Sequence, residues 1–198
     1  MILSTYLEKW NQIPSLVKQF LARGLILFII WKIIYLGFLV PGRILDKPLT
    51  TTVGILTAQG LNLATNSKDY RSKTEFGPVL DADTKGKGEM QQSVYFKNYK
   101  LVGIYDGCNA LELFVLYAGF IVCMPATLKR KIIFISVGTA LIFIINILRC
   151  MGVSYVVQYH PKQANFVHHY VFVFVVYGLI IALWLLFVNK LKIDNNVE

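Results

Sequence analysis

Apolar and polar residues in this chain are sorted into blocks rather than mixed. Four blocks are long and carry at most one charge each. Leu25–Val40 holds only Lys32 and ends at Pro41-Gly42, a pair that stops helices. Ala110–Met124 carries Glu112 and stops at Pro125. Ile132–Leu148 is uncharged and is closed by Arg149. Val167–Val188 is the longest, and His168-His169 lie at its start. Such runs predict membrane-spanning helices, because a hydrocarbon core needs about 20 mostly apolar residues to cross.

The polar stretches predict the remaining elements. Residues 1–24 interleave Glu8, Lys9, Lys18 and Arg23 with apolar residues, the pattern of an amphipathic interfacial segment. Residues 49–65 (LTTTVGILTAQGLNLAT) are mildly apolar, so the pattern leaves open whether they cross, re-enter or lie flat. Residues 66–93 are polar and predict a solvent loop. Residues 93–105 alternate weakly around Lys97-Asn98, as a short hairpin does. Residues 150–167 read as a mixed loop. The expected fold is an all-α integral membrane protein. It is a helical bundle of about four to five transmembrane helices, with an N-terminal interfacial segment (1–24), one membrane-embedded domain (25–198) and one long extracytoplasmic loop (66–105). The first apolar block is longer than the core of a signal peptide and lacks a small-x-small site after it, so no cleavage is expected.

Composition agrees. The chain has 198 residues, 56% of them hydrophobic, with a mean hydropathy of +0.55. The net charge is +9, from 20 Lys+Arg against 11 Asp+Glu. In a soluble protein that excess would suggest nucleic acid. Here the cations flank the apolar blocks, so they read as topology signals and contacts to lipid head groups. No nucleic-acid partner is expected. Lys129-Arg130-Lys131 and Lys190/Lys192 belong on the cytoplasmic side by the positive-inside rule. Both termini then lie inside and the long loop outside. No CxxC, HExxH or paired Cys/His spacing occurs, so neither a metal nor another cofactor is expected.

The same topology brings Cys108, Arg149 and His168 to one membrane face, the outer one. Cys108 follows Asp106-Gly107 where a helix should start, and a helix N-terminus favours a thiolate. Packing as a small hydrophobe, or a disulfide to Cys150, are the competing readings. Arg149 is either a snorkelling anchor or a fixed cation beside the thiol. Asn146 lies three residues earlier on the same helical face and adds donors for an oxyanion. Asn109 serves as a local cap or as a donor to a substrate carbonyl. His168 suits a base or ion-pair partner, and His169 points about 100° away from it on a helix. Glu112, at i+4 from Cys108, is placed to orient an imidazole, pair with Arg149 or make a structural pair.

The segments DGCNA (106–110), NILR (146–149) and His168-x-Tyr170-x-Phe172 resemble the exosortase/archaeosortase family of membrane cysteine transpeptidases. Within it the chain is most similar to the short exosortase-family proteins of Bacteroidetes-type bacteria. The resemblance covers roughly residues 95–190. It implies a thiol protease or transpeptidase in the bacterial cytoplasmic membrane. Its substrates would be exported proteins carrying C-terminal sorting tails. Cys108 would be the nucleophile, Arg149 the oxyanion stabiliser and His168 the acid and base, through a thioester released to an amine, a lipid head group or water. One departure concerns the backbone: family members carry Gly two residues after the Cys, where this chain has Ala110. The alternative is a non-catalytic scaffold subunit of an envelope or polysaccharide export system, to which Cys108→Ser would be harmless. A transporter reading would need intramembrane charge, for which only Lys32 and Glu112 qualify.

Overall fold

A computed structural model describes residues 14–78 and 88–195. Residues 1–13 of the expected interfacial segment lie outside the described residues. From Ser15 the chain is already helical: α1 (Ser15–Ile34) runs without a break through the expected boundary at 24/25. It passes into a π-helical segment, Tyr35–Leu39, and one more turn, Val40–Gly42. Arg43 then adopts the left-handed conformation (φ 46°) that ends many helices.

α2 (Asp46–Thr65) covers the stretch whose fate the sequence left open. Its buried Thr50, Val53, Gly54, Thr57, Ala58 and Leu61 recur at three- and four-residue spacing, so they form one face. The helix packs between the sheet and the last part of the helix Leu128–Tyr159. At Gly54 any side chain would run into Gln92 of the sheet, so helix and sheet approach closely only with glycine there.

The sheet corrects the all-α expectation and the long loop. β1 (Tyr70–Pro78), β2 (Gly88–Phe96) and β3 (Tyr99–Ile104) pair antiparallel in sequence order. Tyr70 sits opposite Phe96, and Val94 opposite Val102. The expected hairpin at Lys97-Asn98 is the β2–β3 turn, whose Lys97 has φ 53°. β1 escaped detection because, beyond the buried Tyr70, the residues that follow on the same face, Ser72 and Thr74, are polar. Thr74 Oγ1 donates to Gln92 Oε1 at 2.6 Å, and Gln92 Nε2 to Ser72 Oγ at 2.7 Å. Paired hydroxyls and amides fill the place of the apolar alternation that marks a strand.

α3 (Leu111–Cys123) has 13 residues, about 20 Å at 1.5 Å per residue. α4 (Leu128–Tyr159) has 32 residues, about 48 Å. It therefore continues past Arg149, where a loop was expected from residue 150. The mixed composition of that last stretch reflects a helix that packs on the sheet: Tyr70 OH donates to Gln158 Oε1 at 2.8 Å. α5 (Phe172–Asn195) follows a second π-helical segment, Val167–Val171, which carries His168. Among the described residues three helical stretches are long and apolar enough to cross a membrane: Val17–Gly42, Leu128–Tyr159 and Phe172–Lys190. α3 is apolar but shorter.

Two hydrophobic cores result. One joins α2, the sheet and the end of α4 through Val53, Leu61, Tyr70, Val94, Ile104 and Cys150, and it includes Cys108. The other lies in the helical bundle around Tyr117, Ile121, Ile142, Ile180 and Phe187, and it includes Ala110. Tyr117 packs so tightly on α4 that Gly138 has no room for a side chain. The chain crosses from one core to the other between Cys108 and Ala110. Arg130 and Lys190 lie at the far end of the bundle. The Arg130 guanidinium lies 5.6 Å from the Phe187 ring centroid, and Lys190 Nζ 6.0 Å from that of Phe134. Arg130 and Arg149 stand about 28 Å apart along α4, close to the thickness of a hydrocarbon core.

Candidate active site

β3 ends at Ile104, and a 3-10 turn, Asp106–Cys108, delivers the thiol. The Cys108 N–H donates to the Tyr105 carbonyl at 2.8 Å, and the Asn109 N–H to that of Asp106 at 3.3 Å. Ala110 follows with φ 71° and ψ 6°. It is a non-glycine in the left-handed region, which costs about 1–2 kcal/mol. The Asn109 Oδ1 accepts the Leu111 N–H at 2.9 Å, a local cap at the start of α3. Its Nδ2 donates to Asp46 Oδ1 at 2.8 Å and Thr50 Oγ1 at 3.3 Å. Both amide hydrogens are then engaged. Of the two roles the sequence allowed Asn109, this geometry serves the cap.

The three candidate residues do converge, and Arg149 stands in the middle. Its NH2 group approaches Cys108 Sγ at 3.4 Å and His168 Nε2 at 3.4 Å. Because a guanidinium only donates, the contact suits a His168 tautomer whose Nε2 accepts. Cys108, Arg149 and His168 line a small cavity of about 40 Å³ together with Gly103, Ile104 and Val153. It has room for a water molecule. The Arg149 Nε is buried without a hydrogen-bond partner among the described residues, so one donor remains unused beside the thiol. Asn146, fully buried, donates from Nδ2 to the Cys108 carbonyl at 3.0 Å, while its Oδ1 has no partner among the described residues. It ties the nucleophile's backbone to the helix that carries Arg149.

Other candidates fall differently. Glu112 does not pair with Arg149; it accepts from Lys32 Nζ of α1 at 3.1 Å. The helical spacing that put it near Cys108 also turned it toward α1. Cys108, Cys123 and Cys150 are all free thiols, so the Cys108–Cys150 disulfide is not formed. The side chain of His169 lies outside the described residues. Among the described residues no three His, Cys, Asp or Glu side chains gather as metal ligands.

A groove of about 600 Å³ opens beside this site, between α1, α3 and α5. Phe28, Trp31, Leu116, Phe120, Val176 and Trp184 make it apolar. Its charged lining, Lys32, Asp106, Glu112 and Arg149, comes from the end that carries Cys108.

Sequence reasoning missed a polar network on the other side of the turn. Arg43 grips Asp106 with two hydrogen bonds, Nε to Oδ2 and NH2 to Oδ1, both 2.6 Å. Thr50 Oγ1 donates to Asp106 Oδ1 at 2.8 Å, and Tyr35 OH to Asp46 Oδ2 at 3.1 Å. The hydrogen bonds to Asp106 hold the Arg43 guanidinium still more firmly protonated than usual. No local periodicity links residues more than 50 positions apart. The available signal was a charged residue at each end of a turn or helix: Arg43 after Pro41-Gly42, Asp46 opening α2, and Asp106 before Gly107.

The family model described as transmembrane exosortase matches residues 13–187. No curated protein and no solved structure matches the chain. The matched stretch runs from α1 through most of α5, so the chain belongs to the transmembrane exosortase family.

Proposed function

We propose that this protein is a membrane cysteine peptidase or transpeptidase that cuts C-terminal sorting tails from exported proteins. The observation that carries the reading is the Arg149 guanidinium at 3.4 Å from both the Cys108 sulfur and His168 Nε2, beside an apolar groove. The groove is bounded by bundle helices and suits an apolar tail segment. Its charged end would leave the peptide just preceding that segment next to the thiol.

In this reading the Cys108 thiolate attacks the scissile carbonyl carbon, forming a C–S bond. The carbonyl electron pair moves to oxygen, where Arg149, including its unused Nε–H, stabilises the charge. His168, having taken the proton of the Cys108 thiol, gives it to the departing amine as the C=O bond re-forms and the C–N bond breaks. The resulting thioester is then attacked by an amine, a lipid head group or water; His168 takes that nucleophile's proton, and the C–S bond breaks to return the Cys108 thiolate. The 40 Å³ cavity shared by Cys108, Arg149 and His168 provides a place for a water or an incoming nucleophile. Lys129-Arg130-Lys131 and Lys190, about 28 Å from Arg149, support an extracytoplasmic site in the bacterial cytoplasmic membrane, by the positive-inside rule for short flanks.

The test compares cells carrying wild-type protein with cells carrying Cys108→Ala, by mass spectrometry of the C-terminal peptides of membrane and surface proteins. A set of proteins that keeps apolar, basic-ended tails only in the variant supports the reading and reveals the cleavage site. Matching profiles, with the variant stably expressed, would sink it in favour of a scaffold.

A further inference from the structure

We propose that Arg43, Asp46, Thr50 and Asp106 form a clamp of positioning residues that sets the Cys108 thiol against Arg149; this rests on Cys108 being the nucleophile. The turn is fastened on both sides of the thiol. Asp106, two residues before Cys108, is gripped by Arg43 and Thr50. Asn109, one residue after, is gripped by Asp46 and Thr50. Arg43 ends the first spanning stretch, whereas Asp46 and Thr50 belong to the first turns of α2. The clamp thus ties three separate parts of the chain together at the nucleophile. Arg43 NH2 also donates to the Met90 carbonyl at 3.1 Å, which adds the sheet as a fourth.

Three physical features say this network does more than fill space. First, its inner half is buried: Asp46 and Thr50 are 2% exposed and Asn109 1%, while Arg43 and Asp106 are partly buried. Buried carboxylates persist only when donors surround them, so the network's geometry is tightly specified. Second, the turn needs outside support. It is a 3-10 turn followed by Ala110 at φ 71°, and strain of that kind survives only where neighbours over-determine the backbone. Third, Asn146 holds the Cys108 carbonyl from α4, three residues before Arg149. The clamp and Asn146 together set the distance between sulfur and guanidinium. Asp46 and Asp106 then act through geometry and take no proton from substrate.

Three of the four clamp residues stand apart from tail capture. The apolar wall of the groove comes from α1, α3 and α5, and Asp106 adds to its charged end, but Arg43, Asp46 and Thr50 do not line it. Loosening the clamp through Arg43 or Asp46 should therefore lower turnover and leave binding alone. A misplacement of about 1 Å at a reacting group can cost on the order of 100-fold in rate.

The experiment uses the full chain in lipid nanodiscs, with a purified protein whose tail is retained in Cys108→Ala cells as substrate. Arg43→Met and Asp46→Leu should each lower kcat roughly 10- to 100-fold, with KM within about twofold. Arg43→Lys restores the charge without the two-pronged grip, and should recover only part of the loss. Glu75→Gln, which breaks a comparable network on the sheet, should leave both constants within about twofold. Amide exchange, read without substrate, provides the second measurement. Residues 106–111 should exchange at least about tenfold faster in Arg43→Met, while 142–150 of α4 keep their protection. The clamp is overturned if kcat is unchanged in folded Arg43→Met and Asp46→Leu. It is equally overturned if kcat and KM fail together with loss of α4 protection, or if Glu75→Gln matches the clamp variants. Tail processing that survives in Cys108→Ala removes the nucleophile and the clamp's role with it. Processing lost in Cys108→Ala but intact in Arg43→Met removes the clamp alone.

Discussion

Two carboxylate networks in this chain use the same chemistry in opposite settings. Glu75 of β1 accepts from Ser93 Oγ at 2.7 Å, Tyr95 OH at 2.6 Å and Lys100 Nζ at 2.7 Å. All three donors lie on β2 or β3, beside a ladder that already sets their positions. Asp106 and Asp46 accept from Arg43, Thr50, Asn109 and Tyr35, up to 63 residues away, around a turn with no ladder beneath it. The first network decorates regular structure. The second replaces it. A polar network specifies geometry most where helix and strand hydrogen bonding run out, and that is where Cys108 sits.

Removing the Asp106 carboxylate tests the comparison hardest. Asp106→Leu leaves Arg43 without its partner and Thr50 without an acceptor in a part-buried site, and should cost about 3 kcal/mol of unfolding free energy. Denaturant unfolding in detergent checks this; a loss no larger than that of Glu75→Gln would erase the distinction. Gly54→Ala comes next. It pushes α2, which carries Asp46 and Thr50, away from Gln92 of the sheet, and should cost about 2 kcal/mol. Faster exchange at residues 106–111 in that variant would show that the sheet supports the turn through α2.

Glu75→Gln should be milder, about 1 kcal/mol, because the strand ladder remains. Its pH dependence sharpens the contrast. The hydrogen bonds from Lys100, then Tyr95 and Ser93, pull the Glu75 carboxyl down from 4.5 to about 2. A folded value below the unfolded one means the stabilisation is present above about pH 4.5 and fades as pH falls toward 2. The wild-type sheet should therefore lose protection over that range beyond whatever Glu75→Gln loses, as amide exchange of β2 would report. The smallest effect belongs to the turn itself. Ala110→Gly relieves the left-handed strain but frees the unfolded chain, for a net gain of about 0.5 kcal/mol. A net loss would mean that the Ala110 methyl group, buried in the bundle core, outweighs the strain.

Much of the bundle was legible in the sequence. The apolar blocks around residues 25–40, 110–124, 132–148 and 167–188 all fall in helices, because hydrocarbon demands continuous apolar runs and internally satisfied backbone. The convergence of Cys108, Arg149 and His168 was legible too, since each lies at the matching end of its block. β1 was not, because its Ser72 and Thr74, on the same face as Tyr70, are polar and find their partner on β2. The extension of α4 past Arg149 was hidden for a related reason. That stretch packs on a sheet instead of lipid, so it needs no unbroken apolar run.

The sequence by itself determined that this chain is a membrane protein, which blocks are apolar helices, and which thiol, cation and imidazole share one end. Those features follow from a solvent that acts on each block independently. Only the tertiary structure decided what surrounds the thiol. Arg43, Asp46, Thr50 and Asp106 meet because two cores join at Cys108–Ala110, and pairs separated by dozens of residues leave no periodic trace. It also decided that Asn109 caps α3 and that Glu112 turns to Lys32, choices set by which neighbour arrived within hydrogen-bond reach.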